Sequence, residues 1–154
     1  MLHTRSLKLF ADYHQFHVLD AGVGQPPEEY TDDDVQRRVK VAPSVLAVLA
    51  ARNTTIPLLV EVHENDPGTS LDDWDHIVEC SLELPTGRLQ VRECSGAAVL
   101  DLQVTPGAYH ARALFAGLGD VSEDGLTGND RYAVMLWSGA FRAVRVVRQW
   151  QGAG

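Results

Sequence analysis

The sequence predicts an all-β fold, an antiparallel β-sandwich of roughly eight to ten strands with one short helix. Three observations point there. Apolar residues recur with a period of two rather than 3.6 along most of the chain. Turn residues punctuate it about every 8–12 residues. Helix signals are strong in one segment only.

Leu7 to Phe10 begins the first strand, and Tyr13 to Leu19 reads as the second. In the second, His14, Phe16 and Val18 share a face, so Phe16 is expected in the core with His14 partly buried beside it. Ala21 to Pro27 is a Gly/Pro loop. From Thr31 to Lys40 the pattern changes. Thr31 is a good N-cap with Asp34 at the third helical position, which resembles a capping box. Acids fill the first turn and bases the last, matching the helix dipole, and Val35 and Val39 give one apolar edge. Ser44 to Ala50 and Pro57 to His63 then read as strands around the polar turn Arg52 to Thr55. Pro57 lacks an amide donor and belongs at a strand start or sheet edge.

Asn65 to Ser70 is a loop. Trp74 to Leu84 alternates, with Trp74, His76, Val78, Cys80, Leu82 and Leu84 on one face. A turn at Leu84 to Arg88 leads to a return strand. Ala98 to Val104 and a strand sharing Tyr109, Ala111, Ala113 and Phe115 on one face follow, around Thr105-Pro106-Gly107. Leu118 to Asp130 is a long acidic loop, and Tyr132 to Trp137 and Phe141 to Trp150 close the fold. No linker, repeat or low-complexity run divides the chain, so a single domain at 1–150 with a mobile tail at 151–154 is expected.

Composition excludes several classes. With 154 residues and 45% apolar content the chain can bury a core without staples and is not disordered. The longest apolar stretch, Val41 to Ala51, is interrupted by Pro43 and Ser44 and falls short of the ~20 residues a membrane helix needs. The N-terminal residues lack the apolar core of a signal peptide, so a cytoplasmic protein is expected. If the Leu84–Arg88 turn closes a hairpin, Cys80 and Cys94 sit on diagonal positions about 7–8 Å apart, beyond disulfide reach, and both thiols should be free.

Charge is uneven. Residues 1–130 hold all 21 acids against nine bases, a net −12, while residues 131–154 hold four Arg and no acid, a net +4. An acidic body repels nucleic acid and attracts a basic protein. Arg142, Arg145 and Arg148 read as counter-charge for that body, within the chain or across a dimer.

Motifs for chemistry are sparse. No nucleophile elbow, zinc-protease or phosphate-loop signature is present. The six His are scattered, and His14 and His17 fall on opposite strand faces, so no metal site is expected. Asp120 to Gly125 echoes the start of a calcium loop but places Arg131 where a bidentate Glu is required. No cofactor is expected, and the chain does not read as an enzyme.

Five short segments stand out: Tyr13-His14-Gln15-Phe16, Tyr30-Thr31-Asp32, Arg52-Asn53-Thr54 before Pro57-Leu58-Leu59-Val60, Pro106-Gly107-Ala108-Tyr109 and Asp130-Arg131-Tyr132. Together they resemble the competence protein J family of DNA-entry nuclease inhibitors. Their order spans about Leu7 to Trp137, and the Arg-rich C-terminal strand has no counterpart in the family pattern. The resemblance implies a small protein that binds and blocks a DNA nuclease.

Charge agrees, because an acidic surface can occupy a groove built for phosphate. The candidate contact residues lie on three loop regions: Glu28, Glu29, Asp32, Asp33 and Asp34; Asp72, Asp73, Trp74 and Asp75; and Asp120, Glu123 and Asp124. The alternative is a small-ligand or carbohydrate-binding sandwich using Tyr13, His17, Trp74 and Tyr109.

Overall fold

A computed structural model describes residues 2–151. Two sheets pack face to face. The first has the order β1 (His3–Phe10), β5 (Thr55–His63), β10 (Arg131–Ser138), β9 (Gly107–Ala116), β6 (His76–Leu84) and β11 (Arg145–Arg148). The second has β3 (Val39–Ala42), β4 (Val45–Leu49), β2 (Gln15–Asp20), β7 (Arg88–Glu93) and β8 (Ala98–Gln103). One short helix, α1 (Asp32–Arg37), precedes β3. All strand pairs are antiparallel except β5 with β10, which run parallel. That exception exists because the long connection before β10 lets it enter between β5 and β9. The tail expected at 151–154 lies, apart from Gln151, outside the described residues.

The core between the sheets comes from the period-two pattern. Phe16, Val18, Leu46, Val48, Val60, Val62, Val78, Leu82, Val91, Phe115 and Val134 are buried together. Tyr109, Ala111, Ala113 and Phe115 share the inner face of β9 as expected. His14, however, is exposed. The second strand starts only at Gln15, because Tyr13 and His14 sit in a left-handed turn that breaks the alternation.

The helix is shorter than the charge pattern suggests. Arg38 takes a left-handed conformation (φ 66°) and ends it, so Val39 enters the core from β3 while Val35 stays in solvent. The N-terminal half matches expectation: Asp34 N donates to Thr31 Oγ1 (3.1 Å) and Thr31 N donates to Asp34 Oδ2 (2.9 Å). Burial would raise the Asp34 carboxyl, but these bonds with Lys40 and Arg37 hold it down to about 2.

The turn after Leu84 does not close a hairpin. It carries the chain from one sheet to the other, with β6 and β7 in different sheets. Gly87 makes this turn at φ +72°, where an added Cβ would stand 2.2 Å from the Val104 carbonyl oxygen. Both cysteines are free, as expected, but they are separated by the sandwich rather than by hairpin geometry. Buried Cys80 has its thiol pushed up to about 12, which makes it inert.

The outer face of the larger sheet is also covered. Ile77, Leu114 and Ala133 form a second apolar layer beneath Trp74 and Val147. Glu79, on the other face of β6, is buried against Arg112, with Nε to Oε2 at 2.9 Å. Arg112 also reaches Asp66 (3.0 Å) and stacks on Trp137, 4.6 Å from the ring centroid. From the C-terminal segment Arg145 adds a contact to Glu79 at 3.0 Å, and Arg148 donates to the Leu71 carbonyl at 2.8 Å. The Arg-rich strand is thus counter-charge within the chain.

His76 joins this segment to the helix. Its Nε2–H donates to the Arg37 carbonyl (2.6 Å), and its Nδ1 accepts the Trp150 amide (3.0 Å). Burial, reinforced by the nearby Arg38 charge, lowers its pKa against the opposing bond to Arg37. The folded state therefore favours neutral His76, and its contribution is full above the unfolded value of 6.5 and is lost as pH falls below it. Thermal denaturation should show Tm falling between about pH 7.5 and about pH 5.5. His76→Gln should flatten that fall, with the remainder assigned to buried His17, whose pKa is also lowered, by burial and then by Arg92.

Candidate protein-binding face

Four of the five segments that carry the family resemblance lie far apart in sequence and come together at one end of the sandwich, while Pro106–Tyr109 lies at the other, beside Gly87. The link is a buried carboxylate. Asp130 accepts Arg52 Nε at 2.5 Å on one oxygen and the Tyr132 hydroxyl on the other. Its side chain has no exposed surface. The Tyr132 hydroxyl in turn accepts the Ala51 amide at 2.8 Å. Burial and the Asp130 contact both raise the Tyr132 pKa, so the phenol stays a donor.

This clamp fixes the loop between β4 and β5, and that loop fixes its neighbours. Asn53 N donates to the Gly125 carbonyl (2.8 Å), and Thr54 Oγ1 donates to that of Leu126 (3.3 Å). Ala50 N donates to the His14 carbonyl (2.6 Å), and His14 Nδ1–H donates back to that of Ala51 (3.2 Å). The acidic loop 117–130 is closed on itself by the Val121–Gly128 bridge and is tied to the start of β6 by Leu118 N donating to Asp75 Oδ2 (2.9 Å).

The Tyr13–His14 turn is strained. Two consecutive residues other than glycine have φ of 56° and 61°. Such conformations cost on the order of 1–2 kcal/mol each and persist only where the surroundings hold them. Here Asp12 Oδ1 accepts Tyr13 N (3.1 Å), and His14 N donates to the Ala11 carbonyl (3.0 Å). The result projects Tyr13 outward, 75% exposed, over a hollow of about 280 Å³ shared with Tyr30, Val35 and Arg38. Tyr30 closes the hollow's rim by donating to Gln15 Oε1 at 2.6 Å.

The candidate acids separate into two groups. Glu28, Glu29, Asp32, Asp33 and Glu123 are exposed, and among the described residues none enters an ion pair. Asp34, by contrast, is buried and engaged by the helix cap, Arg37 and Lys40. Asp75 is half-buried and serves the loop tie. Trp74 is half-buried beneath Arg131, whose guanidinium lies 4.5 Å from the ring centroid. Asp72 is exposed with Arg148 at 3.7 Å, and exposed Asp73 offers its carbonyl to Arg131. Asp120 accepts Asn129 Nδ2 (2.6 Å), and Asp124 accepts Ser122 Oγ and the Leu126 amide. The Asp124 bonds lower its pKa, keeping it charged.

Three regions named from charge thus surround one end, although only part of each faces solvent. Among the described residues no three His, Cys, Asp or Glu side chains converge as metal ligands. The four residues of the ligand-binding alternative do not share a cavity. Tyr13 is exposed at this end, His17 is buried in β2, Trp74 lies under Arg131, and Tyr109 is buried with its hydroxyl on the Thr105 carbonyl. An apolar groove of about 500 Å³ at the edge of the sandwich, between Val41 and Phe141, contains none of them.

No known family profile matches the sequence, and no curated protein matches it. Solved structures do match. The fold is similar to that of ComJ from Bacillus subtilis, an inhibitor of the DNA-degrading activity of NucA. The TM-score is 0.72 at 18% identity, covering 90% of this chain and 99% of that one. A second similar structure is described as crocagin biosynthetic gene J, with a TM-score of 0.59 at 16% identity over 90% of this chain and 98% of that one. The likeness suggested by the short motifs is therefore present in the fold.

Removing one partner of the clamp should be costly. Asp130→Asn leaves Arg52 without its counter-charge and should destabilise the protein by about 3–5 kcal/mol. Tyr132→Phe, which leaves one Asp130 oxygen and the Ala51 amide without the hydroxyl, should cost about 1–3 kcal/mol. Chemical denaturation of both variants checks the order.

Proposed function

We propose that this chain is an inhibitor-type binding protein whose partner is a basic DNA nuclease, and that it performs no catalysis of its own. The observation that carries the reading is the distribution of neutralised and free acids. Glu79, Asp34 and Asp130 are buried and matched by Arg or Lys. Asp32 and Asp33 in the first turn of α1 and Glu123 in the acidic loop remain unmatched at the same end of the sandwich. A nuclease groove that binds phosphate offers the complementary field. The likeness to ComJ supports a nuclease as the target, since that protein blocks one.

Such a surface acts mainly on encounter. Exposed charges steer association and are screened beyond ~8 Å at physiological ionic strength. Titrating the chain into plasmid degradation by purified NucA should slow the reaction at low salt and do so less at high salt. In stopped-flow mixing, Asp32→Asn with Asp33→Asn should slow association several-fold and leave dissociation nearly unchanged. Asn keeps the size of Asp and removes its charge. Absence of inhibition at every ratio, or inhibition indifferent to both salt and substitution, contradicts the reading.

A further inference from the structure

We propose that Tyr13 is the anchor of the partner interface: a pre-positioned aromatic side chain that enters a pocket with an apolar floor and a basic rim on the partner protein. This inference rests on the reading of the chain as a nuclease partner and adds to it the residue that would carry most of the binding energy.

Besides Phe10 at the end of β1, three exposed apolar side chains are held at the same end by three different segments. Tyr13 comes from the strained turn, Val35 (58% exposed) from α1, and Leu126 (48% exposed) from the acidic loop. Tyr13 and Val35 line one hollow. Leu126 adjoins the turn through Gly125, whose Cα hydrogen position points at the His14 ring, 3.2 Å from an added Cβ. Large apolar groups left in solvent at the end of a well-packed sandwich are not explained by folding.

Each of the three has an acid at its side. Asp12 receives the Tyr13 amide, Asp32 stands one helical turn from Val35, and Asp124 receives the Leu126 amide. An aromatic at the centre with smaller apolar groups around it and charges at the rim is the anatomy of an interface hot spot. Arg38 lines the hollow itself, but the three acids beside the apolar groups outnumber it, so the occupant they fit is a basic protein rather than an acidic or neutral one.

The backbone supplies a separate argument. Tyr13 and His14 occupy conformations that a glycine would take without strain. The fold spends five hydrogen bonds, from Asp12, Ala11, Ala50, Ala51 and the Tyr30–Gln15 pair, around a turn that adds nothing to the core. Strain held in this way on an exposed aromatic fits pre-organisation for binding, because the ring then loses little freedom on docking.

The test measures affinity for purified NucA by titration calorimetry, together with Tm. Tyr13→Ala should raise Kd about 30-fold or more with Tm unchanged, the size expected of an anchor. Tyr13→Phe should keep affinity within about threefold, and Val35→Ser or Leu126→Ser should weaken it only about two- to fivefold. Tyr13→Gly should lose affinity as Tyr13→Ala does and raise Tm by relieving the turn. If the wild type does not bind NucA, the nuclease reading falls and the anchor with it. Wild-type binding that Tyr13→Ala leaves within twofold overturns the anchor alone. A lowered Tm in Tyr13→Gly overturns the claim that the turn is strained.

Discussion

A carboxylate without solvent contact must be matched by donors, and the contacts that match Asp130 organise one whole end of this protein. Arg52 and Tyr132 occupy its two oxygens. Desolvating a charge is expensive, so the network holds only if every member is in place. That requirement draws the β4–β5 connection onto the start of β10. The connection then supplies the amides and carbonyls that hold the Tyr13–His14 turn and the acidic loop. The candidate binding face is therefore largely a set of loops, but loops fastened to the sandwich through one buried ion pair.

The opposite end uses the same device for a different purpose. Buried Asp20 accepts the amides of Gly22, Val23 and Thr86 and the Thr86 hydroxyl, fixing the inter-sheet turn. Hydrogen bonds overcome the cost of its burial and lower its pKa. Along the outer face, Glu79 collects Arg112 and Arg145 beneath the C-terminal segment. The chain thus divides its acids between internal organisation and external charge. The excess that remains in solvent is what a partner would meet, and the +4 of the last 24 residues is directed in part at Glu79 and Asp72.

Much of the sandwich was legible because burial on one face imposes a period of two. The inner positions of β6 and β9 and the Thr31–Asp34 capping box follow from local spacing alone. The failures have local causes as well. Strand alternation puts His14 on the inner face because it carries no sign of a left-handed turn in residues other than glycine. The charge pattern overextends the helix because Arg38 and Lys40 suit a helix C-terminus by charge, while Val39 is captured by the core. Leu84 to Arg88 reads as a hairpin because hairpins and inter-sheet turns share the same turn residues. Of the site, the acids were legible from composition. The Arg52–Asp130 pair was not, since its members lie 78 residues apart and each sits in a short polar motif with no pattern of its own. The all-round burial of Glu79 was hidden for the same reason, as its cover comes from distant segments.

The central claim is that the Asp130 clamp turns separate loops into one rigid face. Amide hydrogen exchange of the wild type and Asp130→Asn, read residue by residue under conditions where both are folded, tests it most directly. In the wild type the amides of Ala50, Asn53 and Gly125 should exchange slowly, since each is bonded across or within these loops. In Asp130→Asn all three should speed up together, while Gly22 and Thr86, held by Asp20 at the other end, keep their protection. Unchanged protection of Ala50, Asn53 and Gly125, or an equal loss at both ends, would contradict the account.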